Sequence, residues 1–197
     1  MITIENHNSE EPYKIFYNYY KKALERKQKN IEAIHVSSYN KKLNEVQSRI
    51  VNLKYIINNE WIFFTNYLSP KSKSFELHDQ IAALFFWDAI NLQIRIKAKI
   101  KKTNSIFSDK HFKSRSKEKN IVSVISNQSK KINSYDLLLE KYHSYDKGTD
   151  LNRPDYWGGF SFVPFYFEFW TGNDNRLNKR DVFELTDQIW QHSILEP

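Results

Sequence analysis

The chain has 197 residues, and 30 Lys and Arg against 23 Asp and Glu give it a formal net charge of +7. This length suits one domain with its own core, and an aromatic content of 16% excludes a disordered chain. The chain has no cysteine and only 4 glycines, which excludes disulfides, cysteine zinc sites and glycine-rich phosphate loops.

The amino terminus is neither basic nor apolar over Met1–Asn6, so we expect no signal peptide. The longest apolar stretch, Tyr156–Phe167, is interrupted by Pro164 and is too short to cross a bilayer. We therefore expect a cytoplasmic protein with no membrane partner. The histidines are scattered without metal-ligand spacing, so we also expect no metal site.

The first half of the chain is predicted to hold one long helix followed by strands. We expect residues 1–10 to be frayed and 11–29 to form an amphipathic helix, with Ser9 as its cap and Pro12 in its first turn. Strands are predicted over Ile31–Ser38, Gln47–Ile57, Glu60–Asn66, Ile81–Trp87 and Leu92–Lys102, with a hairpin turn at Asn58-Asn59, a loop over Leu68–Ser74 and a short helix over Ser74–His78.

The second half is predicted to alternate between helices and aromatic strands. Helices are expected over Ser105–Arg115, onward to Ser126, and over Asp136–Tyr145, followed by a turn-rich connection over Gly148–Asp155. Strands are expected over Tyr156–Val163 and Phe165–Thr171, separated by Pro164, and over Asp181–Thr186 and Ile189–Leu195. The pattern predicts an α+β, mainly β domain over residues 11–197 whose antiparallel strands close into a barrel.

The positive charge is concentrated in one window. Lys97 to Lys119 holds nine Lys or Arg and two acids, which equals the net charge of the whole chain. His111 and Arg115 are four residues apart, so with Lys119 they share a helix face or cluster at a helix end. Such a trio suits a phosphate. Because Phe107 and Phe112 are expected to be buried, we favour a small phosphorylated ligand over nucleic acid.

Several short runs, taken in order, resemble the pyridoxine/pyridoxamine 5′-phosphate oxidase family, whose members bind flavin mononucleotide (FMN) in a split β-barrel. The runs are Arg49-Ile-Val-Asn-Leu-Lys54, Phe63-Phe-Thr-Asn66, Ser69-Pro-Lys71, Ala83-Leu-Phe-Phe-Trp87, Gln93-Ile-Arg95, Phe112-Lys-Ser-Arg115, Ser126-Asn-Gln-Ser129, Trp157-Gly-Gly159, Glu168-Phe-Trp170, Arg176-Leu-Asn-Lys-Arg180 and the closing Trp190 to Pro197. Each run is weak alone, but their joint order is specific and spans Glu11 to Pro197.

The resemblance implies a homodimer whose FMN sites are shared between the subunits, a phosphorylated substrate and O2 as electron acceptor. It implies FMN contacts from Arg49, Lys54, Phe64, Thr65, Lys71, Gln93, Gln128, Ser129, Trp170 and Arg180. It implies substrate contacts from Lys54, His111, Arg115, Lys119, Arg176 and Asn178. Within that set, Arg176 and Asn178 are the implied catalytic residues, and Arg176 orients substrate C4′ for hydride transfer to flavin N5.

The chain departs from the family pattern at several of these positions. His111 stands where a tyrosine is usual, Lys119 where a serine is usual, and Asn178 where a histidine is usual. Pro70 and Leu92 each replace an arginine. The leading hypothesis is an oxidase that makes pyridoxal 5′-phosphate from pyridoxine or pyridoxamine 5′-phosphate. The alternatives are a flavin oxidase of the same fold with another substrate, as in phenazine-type biosynthesis, and a non-catalytic flavin, pyridoxal-phosphate or nucleic-acid binder.

Overall fold

Nine strands form one sheet in the computed structural model, which describes residues 1–145 and 151–197. The strands are β1 (Thr3–Glu5), β2 (Ala33–Asn40), β3 (Glu45–Ile57), β4 (Glu60–Asn66), β5 (Gln80–Trp87), β6 (Leu92–Lys102), β7 (Trp157–Thr171), β8 (Lys179–Thr186) and β9 (Ile189–Ile194). The helices are α1 (Glu11–Glu25), α2 (Pro70–Leu77), α3 (Ser105–Ser114), α4 (Lys117–Ile125) and α5 (Tyr135–His143), with a 3-10 turn at Asp88–Ile90.

The sheet closes because β4 pairs with β3 on one side and with β7 on the other. The remaining path runs β3–β2–β5–β6–β7, so the ring returns to its start. β8 and β9 extend the sheet beyond β7. Pairing is antiparallel around the ring, and β1 adds to β3 in parallel. The predicted mainly antiparallel α+β barrel is confirmed.

The third strand changes partners half-way along its length. Glu45–Asn52 pair with β2, whereas pairing with β4 begins at Leu53, and a β-bulge follows between Leu53 and Tyr55. The extra residue of a bulge re-aims the side chains around it. Leu53 and Ile56 are therefore both buried, although the simple alternation of a strand would place them on opposite faces.

The amino terminus is more ordered than predicted. Thr3–Glu5 pairs with Tyr55–Ile57, and Ile2 beside it is buried. Helix α1 carries a proline in its first turn as predicted, but Glu10 rather than Ser9 is its N-cap, and no side chain caps it. The helix also ends at Glu25, earlier than the predicted residue 29. The sequence pattern gave no sign of the parallel pairing, which joins segments about 50 residues apart.

Two prolines have a different effect from the one predicted. Pro70 lies in the first turn of α2, where its missing N–H costs nothing, so the predicted loop ends at Ser69 rather than Ser74. Pro164 does not separate two strands, because β7 runs through it, and the register with β6 shifts between Lys97 and Ala98 so that Phe165, next to Pro164, is the extra residue of a β-bulge. The predicted connection Gly148–Asp155 lies partly outside the described residues.

Helix α1 packs against the aromatic interior of the barrel. The ring centroid of Phe16 lies 4.5 Å from that of Trp61 and 5.6 Å from that of Trp87. Phe85 and Phe162 complete this fully buried layer. Large aromatic side chains of this kind supply most of the buried apolar area of a small core. Within the described residues, no helix is both long and apolar enough to span a bilayer.

Candidate functional site

A cleft of about 630 Å³ opens beside β3 and β4 and is closed on its other sides by α2, α3, α4 and the segment after α4. We call it the basic cleft. Its predicted site residues are Arg49, Lys54, Phe64, Thr65, Lys71, His111, Arg115, Lys119, Gln128 and Ser129, and Gln47, Asn52, Ser69 and Trp157 also line it. Among the described residues, no Asp or Glu lines it. Cations gathered without acids favour an anionic ligand.

One end of the basic cleft holds Lys71 and Arg49. Lys71 is only 7% exposed, and its Nζ donates to Oγ of Ser69 at 3.0 Å. Burial, together with the nearby positive charge of Arg49, lowers the pKa of Lys71 to about 8. The Arg49 guanidinium donates to Oγ of Ser38 at 3.0 Å and to the backbone oxygen of Gln47 at 3.1 Å. Two partly desolvated cations held side by side are suited to a phosphate dianion.

A stack of parallel rings forms the wall of the basic cleft. The His111 ring lies 3.7 Å from the Phe64 ring at an interplanar angle of 13°, and the Trp157 ring lies 5.4 Å from the Phe64 ring at 11°. The hydroxyl of Tyr55 lies 2.9 Å from Nδ1 of His111. Burial, with the charges of Arg115 and Lys54, lowers the pKa of His111 to about 4. His111 is therefore neutral at physiological pH.

The other end of the basic cleft is a break between two helices. α3 ends at Ser114, Arg115 is extended, and α4 begins at Lys117. Of the two arrangements left open by the sequence, His111, Arg115 and Lys119 thus cluster at a helix end. The Arg115 guanidinium lies 4.5 Å from the centroid of the Trp157 ring, and it donates to Oγ of Ser123 at 3.1 Å. Stacking and hydrogen bonding hold its planar fork in one orientation.

The segment after α4 closes the rim of the basic cleft. Oε1 of Gln128 accepts a hydrogen bond from the backbone N–H of Asn66 at 3.3 Å, which ties this segment to the end of β4. Ser129 has a φ of 66°, a left-handed conformation that is uncommon outside glycine. Both side chains are exposed, so their polar atoms are accessible to a ligand.

Three other predicted FMN residues form a separate row across the sheet. Gln93 on β6 pairs with Trp170 on β7, which in turn pairs with Arg180 on β8. Buried Glu168 accepts hydrogen bonds from Arg180 at 2.9 Å and from Arg95 at 2.6 Å. We call Gln93, Trp170 and Arg180 the second row. No member of it lines the basic cleft of the same chain.

The two predicted catalytic residues lie next to the second row, in the connection between β7 and β8. Arg176 is exposed and has a φ of 59°. Oδ1 of Asn178 accepts a hydrogen bond from the backbone N–H of Asn173 at 3.0 Å. Neither residue lines the basic cleft, so one chain does not bring the predicted catalytic and phosphate-binding residues together.

Most of the basic window identified in the sequence is surface. Lys99 pairs with Asp79 at 2.8 Å, Lys101 with Glu60 at 2.8 Å and Lys102 with Glu76 at 2.9 Å. From this window only Arg115 and Lys119, with His111, line the basic cleft. Phe112 is buried as predicted, whereas Phe107 is only partly buried.

Several residues in or beside the basic cleft had no predicted role, among them Trp157, Ser69 and Tyr55. Trp157 is buried, and it also stacks under Arg115 and lines the basic cleft. Ser69 accepts from Lys71, and Tyr55 contacts His111. Trp157 and Ser69 belong to runs that carried the resemblance. No sequence signal pointed to Tyr55, because its contact crosses 56 residues.

Comparison with known proteins gives consistent matches. Residues 157–197 match the family model described as the pyridoxine 5′-phosphate oxidase C-terminal dimerisation region. A pyridoxine/pyridoxamine 5′-phosphate oxidase of Leptospira biflexa is 35% identical over 190 residues, covering 95% of this chain and 89% of that protein. Pyridoxine/pyridoxamine 5′-phosphate oxidase 1 of Hydrogenovibrio crunogenus is 35% identical over 192 residues, covering 95% and 88%.

Solved structures share the fold at low sequence identity. PhzG from Burkholderia lata 383, in complex with tetrahydrophenazine-1-carboxylic acid, has a TM-score of 0.89 at 22% identity and covers 95% of this chain and 93% of that one. A pyridoxamine 5′-phosphate oxidase-related, FMN binding protein from Nostoc punctiforme has a TM-score of 0.77 at 11% identity, covering 96% and 99%. The predicted split-barrel fold is confirmed.

Proposed function

The chain belongs to the pyridoxine/pyridoxamine 5′-phosphate oxidase family, and from that premise we propose that it is an FMN-dependent oxidase that makes pyridoxal 5′-phosphate. The proposed substrates are pyridoxine 5′-phosphate and pyridoxamine 5′-phosphate. The alcohol loses two electrons and two protons to O2, which becomes hydrogen peroxide. The amine is oxidised in the same way, and hydrolysis then releases ammonia. The observation that carries the proposal is the basic cleft, which gathers cations at both ends and has no acid among its described lining residues.

The residues present fit FMN at one end of the basic cleft. Buried Lys71 and half-buried Arg49 would hold the flavin phosphate, because burial penalises their charges until an anion neutralises them. Thr65, Gln128 and Ser129 offer polar atoms to the rest of the cofactor. When bound, FMN would supply the redox chemistry, a two-electron oxidation of the substrate with O2 as the final acceptor.

The other end of the basic cleft fits the substrate phosphate. Arg115 presents a stacked guanidinium, and Lys54 and Lys119 add point charges. The acid nearest to Lys54 is Glu32 at 4.0 Å, a distance that leaves the ammonium available to a ligand. Holding a substrate at both its phosphate and its ring is how an enzyme fixes the reacting atom in place.

The second row supports a site shared between two subunits. Gln93, Trp170, Arg180 and the neighbouring Arg176 lie in or beside the segment that matches the dimerisation region, and none of them lines the basic cleft of its own chain. A homodimer would bring the second row of one subunit to the basic cleft of the other. Twofold symmetry would then make two equivalent sites. In such a site Arg176 would lie against the substrate ring.

A second candidate is a flavin oxidase of the same fold with a different substrate. Asn178 favours it, because the amide carries no proton-transfer group and its Oδ1 is engaged by the backbone of Asn173. This candidate keeps FMN and the basic cleft but turns over neither vitamin B6 phosphate.

Two measurements on the purified protein test the proposal. FMN titration should quench the flavin fluorescence, and the loaded protein should form an aldehyde from pyridoxine or pyridoxamine 5′-phosphate. Arg176→Ala should abolish turnover and leave FMN bound. A protein that ignores FMN would refute both candidates, and a flavin-loaded protein inert toward both substrates would favour the second.

A further inference from the structure

The contact between Tyr55 and His111 leads to a further inference about how the substrate phosphate is bound, and this inference rests on the proposed function. The two atoms that meet, the Tyr55 hydroxyl and His111 Nδ1, are 2.9 Å apart. Among the described residues, no hydrogen-bond partner is found for the other ring nitrogen, Nε2, of His111. His111 itself lines the basic cleft, whereas Tyr55 does not.

A neutral imidazole has one N–H donor and one bare acceptor nitrogen, and a partner at one nitrogen decides which is which. The depressed pKa of His111 makes the ring neutral, so it offers phosphate no charge. It can offer phosphate a hydrogen bond only if its proton is on Nε2. A bare Nε2 would turn a lone pair toward the anion. The tautomer therefore decides whether His111 attracts or repels a phosphate.

We propose that Tyr55 is a positioning residue of the substrate-phosphate subsite, where its hydroxyl donates to Nδ1 of His111 and fixes the proton on Nε2. The parallel faces of His111 and Phe64 hold the ring in the plane that this bond requires. The Nε2–H then joins Arg115, Lys54 and Lys119 as a neutral donor. The subsite thereby gains a hydrogen bond without a fourth charge that would repel the other three.

The β-bulge explains how Tyr55 reaches His111. In an uninterrupted strand, Tyr55 and Leu53 point to the same face, and Leu53 is in the core. The register shift between them lets Tyr55 leave the core side. Its ring lies 5.2 Å from that of Phe107 and 5.4 Å from that of His111, so α3 and β3 are joined at this point.

The tautomer can be read directly, without any enzyme assay. Nitrogen-15 spectra of histidine-labelled, FMN-loaded protein at neutral pH should show the His111 proton on Nε2, with the signal assigned by His111→Gln. Tyr55→Phe should shift the signal toward a mixture of tautomers. Tyr39→Phe is the matched control, because it removes a hydroxyl that bonds Asn44 away from the cleft. A wild-type proton on Nδ1, or a Tyr55→Phe spectrum like the wild type, would overturn the proposal.

Inorganic phosphate is the binding probe. It should shift the His111 signal of the wild-type protein, and Tyr55→Phe should weaken the apparent affinity about fivefold to tenfold, the size of one lost hydrogen bond. In a His111→Gln background, which keeps an amide donor, Tyr55→Phe should change the affinity less than twofold. An equal loss in both backgrounds would show that Tyr55 acts without His111, and an unshifted His111 signal would show that the anion does not reach it.

Turnover separates this proposal from the proposed function. With pyridoxine 5′-phosphate, Tyr55→Phe should raise KM about fivefold to tenfold and leave kcat within about twofold. With pyridoxine, which lacks the phosphate, it should have no effect. A chain without oxidase activity can still show the tautomer and the phosphate response, so the two proposals fail by different results.

Discussion

The guanidinium carbon of Arg115 lies 4.5 Å from the ring centroid of Trp157, which fixes this cation at the mouth of the basic cleft. Arg115→Ala should raise KM for a phosphorylated substrate about 10- to 100-fold, because charged hydrogen bonds contribute about 1.5–3 kcal/mol each. Steady-state kinetics check this. Lys113→Ala removes an exposed cation from the last turn of α3, two residues before Arg115, and should change KM less than twofold. Equal increases in KM for the two variants would mean that the phosphate responds to net positive charge and not to the Arg115 guanidinium stacked on Trp157.

The depressed pKa of Lys71 predicts that FMN binding weakens at alkaline pH. In the free protein the Lys71 ammonium loses its proton as pH rises through about 8, whereas a bound phosphate would stabilise the charged form. The FMN dissociation constant should therefore rise above that pH, as fluorescence titration would show.

Lys71→Met supplies the comparison for that pH profile. It should bind FMN more weakly and lose the part of the pH dependence that begins near pH 8. Lys73→Met, which removes an exposed lysine paired with Glu76, should keep the wild-type profile. An identical profile in Lys71→Met and wild type would exclude Lys71 as a phosphate ligand.

Half-buried, neutral His111 predicts a loss of stability in acid. The pKa of His111 is about 4 in the folded chain and 6.5 when unperturbed. Between these two pH values, the unfolded chain therefore binds a proton at this histidine and the folded chain does not. Stability from this group is present above pH 6.5 and is lost as pH falls toward 4. Urea unfolding at several pH values should show a shallower acid loss for His111→Gln, whereas His143→Gln, on an exposed histidine of α5, should keep the wild-type slope.

If each site is shared between two subunits, as proposed, two inactive variants should restore activity when they are combined in one dimer. One variant carries Lys54→Ala in the basic cleft, and the other carries Arg176→Ala beside the second row. Random mixing of subunits makes half the dimers mixed, each with one intact site, so about a quarter of the wild-type activity should return. No return after dissociation and remixing would place each complete site within a single chain.

The strands were predicted correctly from the sequence where apolar and polar residues alternate regularly. The prediction was wrong where the structure depends on pairing between segments that are distant in the chain. On β6, predicted as a strand over the same residues, buried Ile94, Ile96 and Ala98 alternate with exposed Arg95 and Lys97. The pairing of Thr3–Glu5 with β3 and the passage of β7 through Pro164 depend on register with other strands, which a local pattern does not contain.

The same limit applies to the site. Lys71 and Arg115 were predicted to contact phosphate, and both line the basic cleft. Whether they bind phosphate stays a prediction. Tyr55 was missed because its contact with His111 depends on a bulge and on another element of the fold. The second row and the basic cleft lie apart because of the way the strands pair into a closed barrel, and a local sequence pattern does not contain that pairing.

Oxygen consumption by the FMN-loaded protein is the decisive test of the proposed oxidase activity. With pyridoxine 5′-phosphate or pyridoxamine 5′-phosphate, O2 uptake, hydrogen peroxide and pyridoxal 5′-phosphate should rise in equal amounts. Arg176→Ala should abolish all three while FMN stays bound. A flavin-loaded wild-type protein that consumes no O2 with either substrate would show that the proposed activity is wrong.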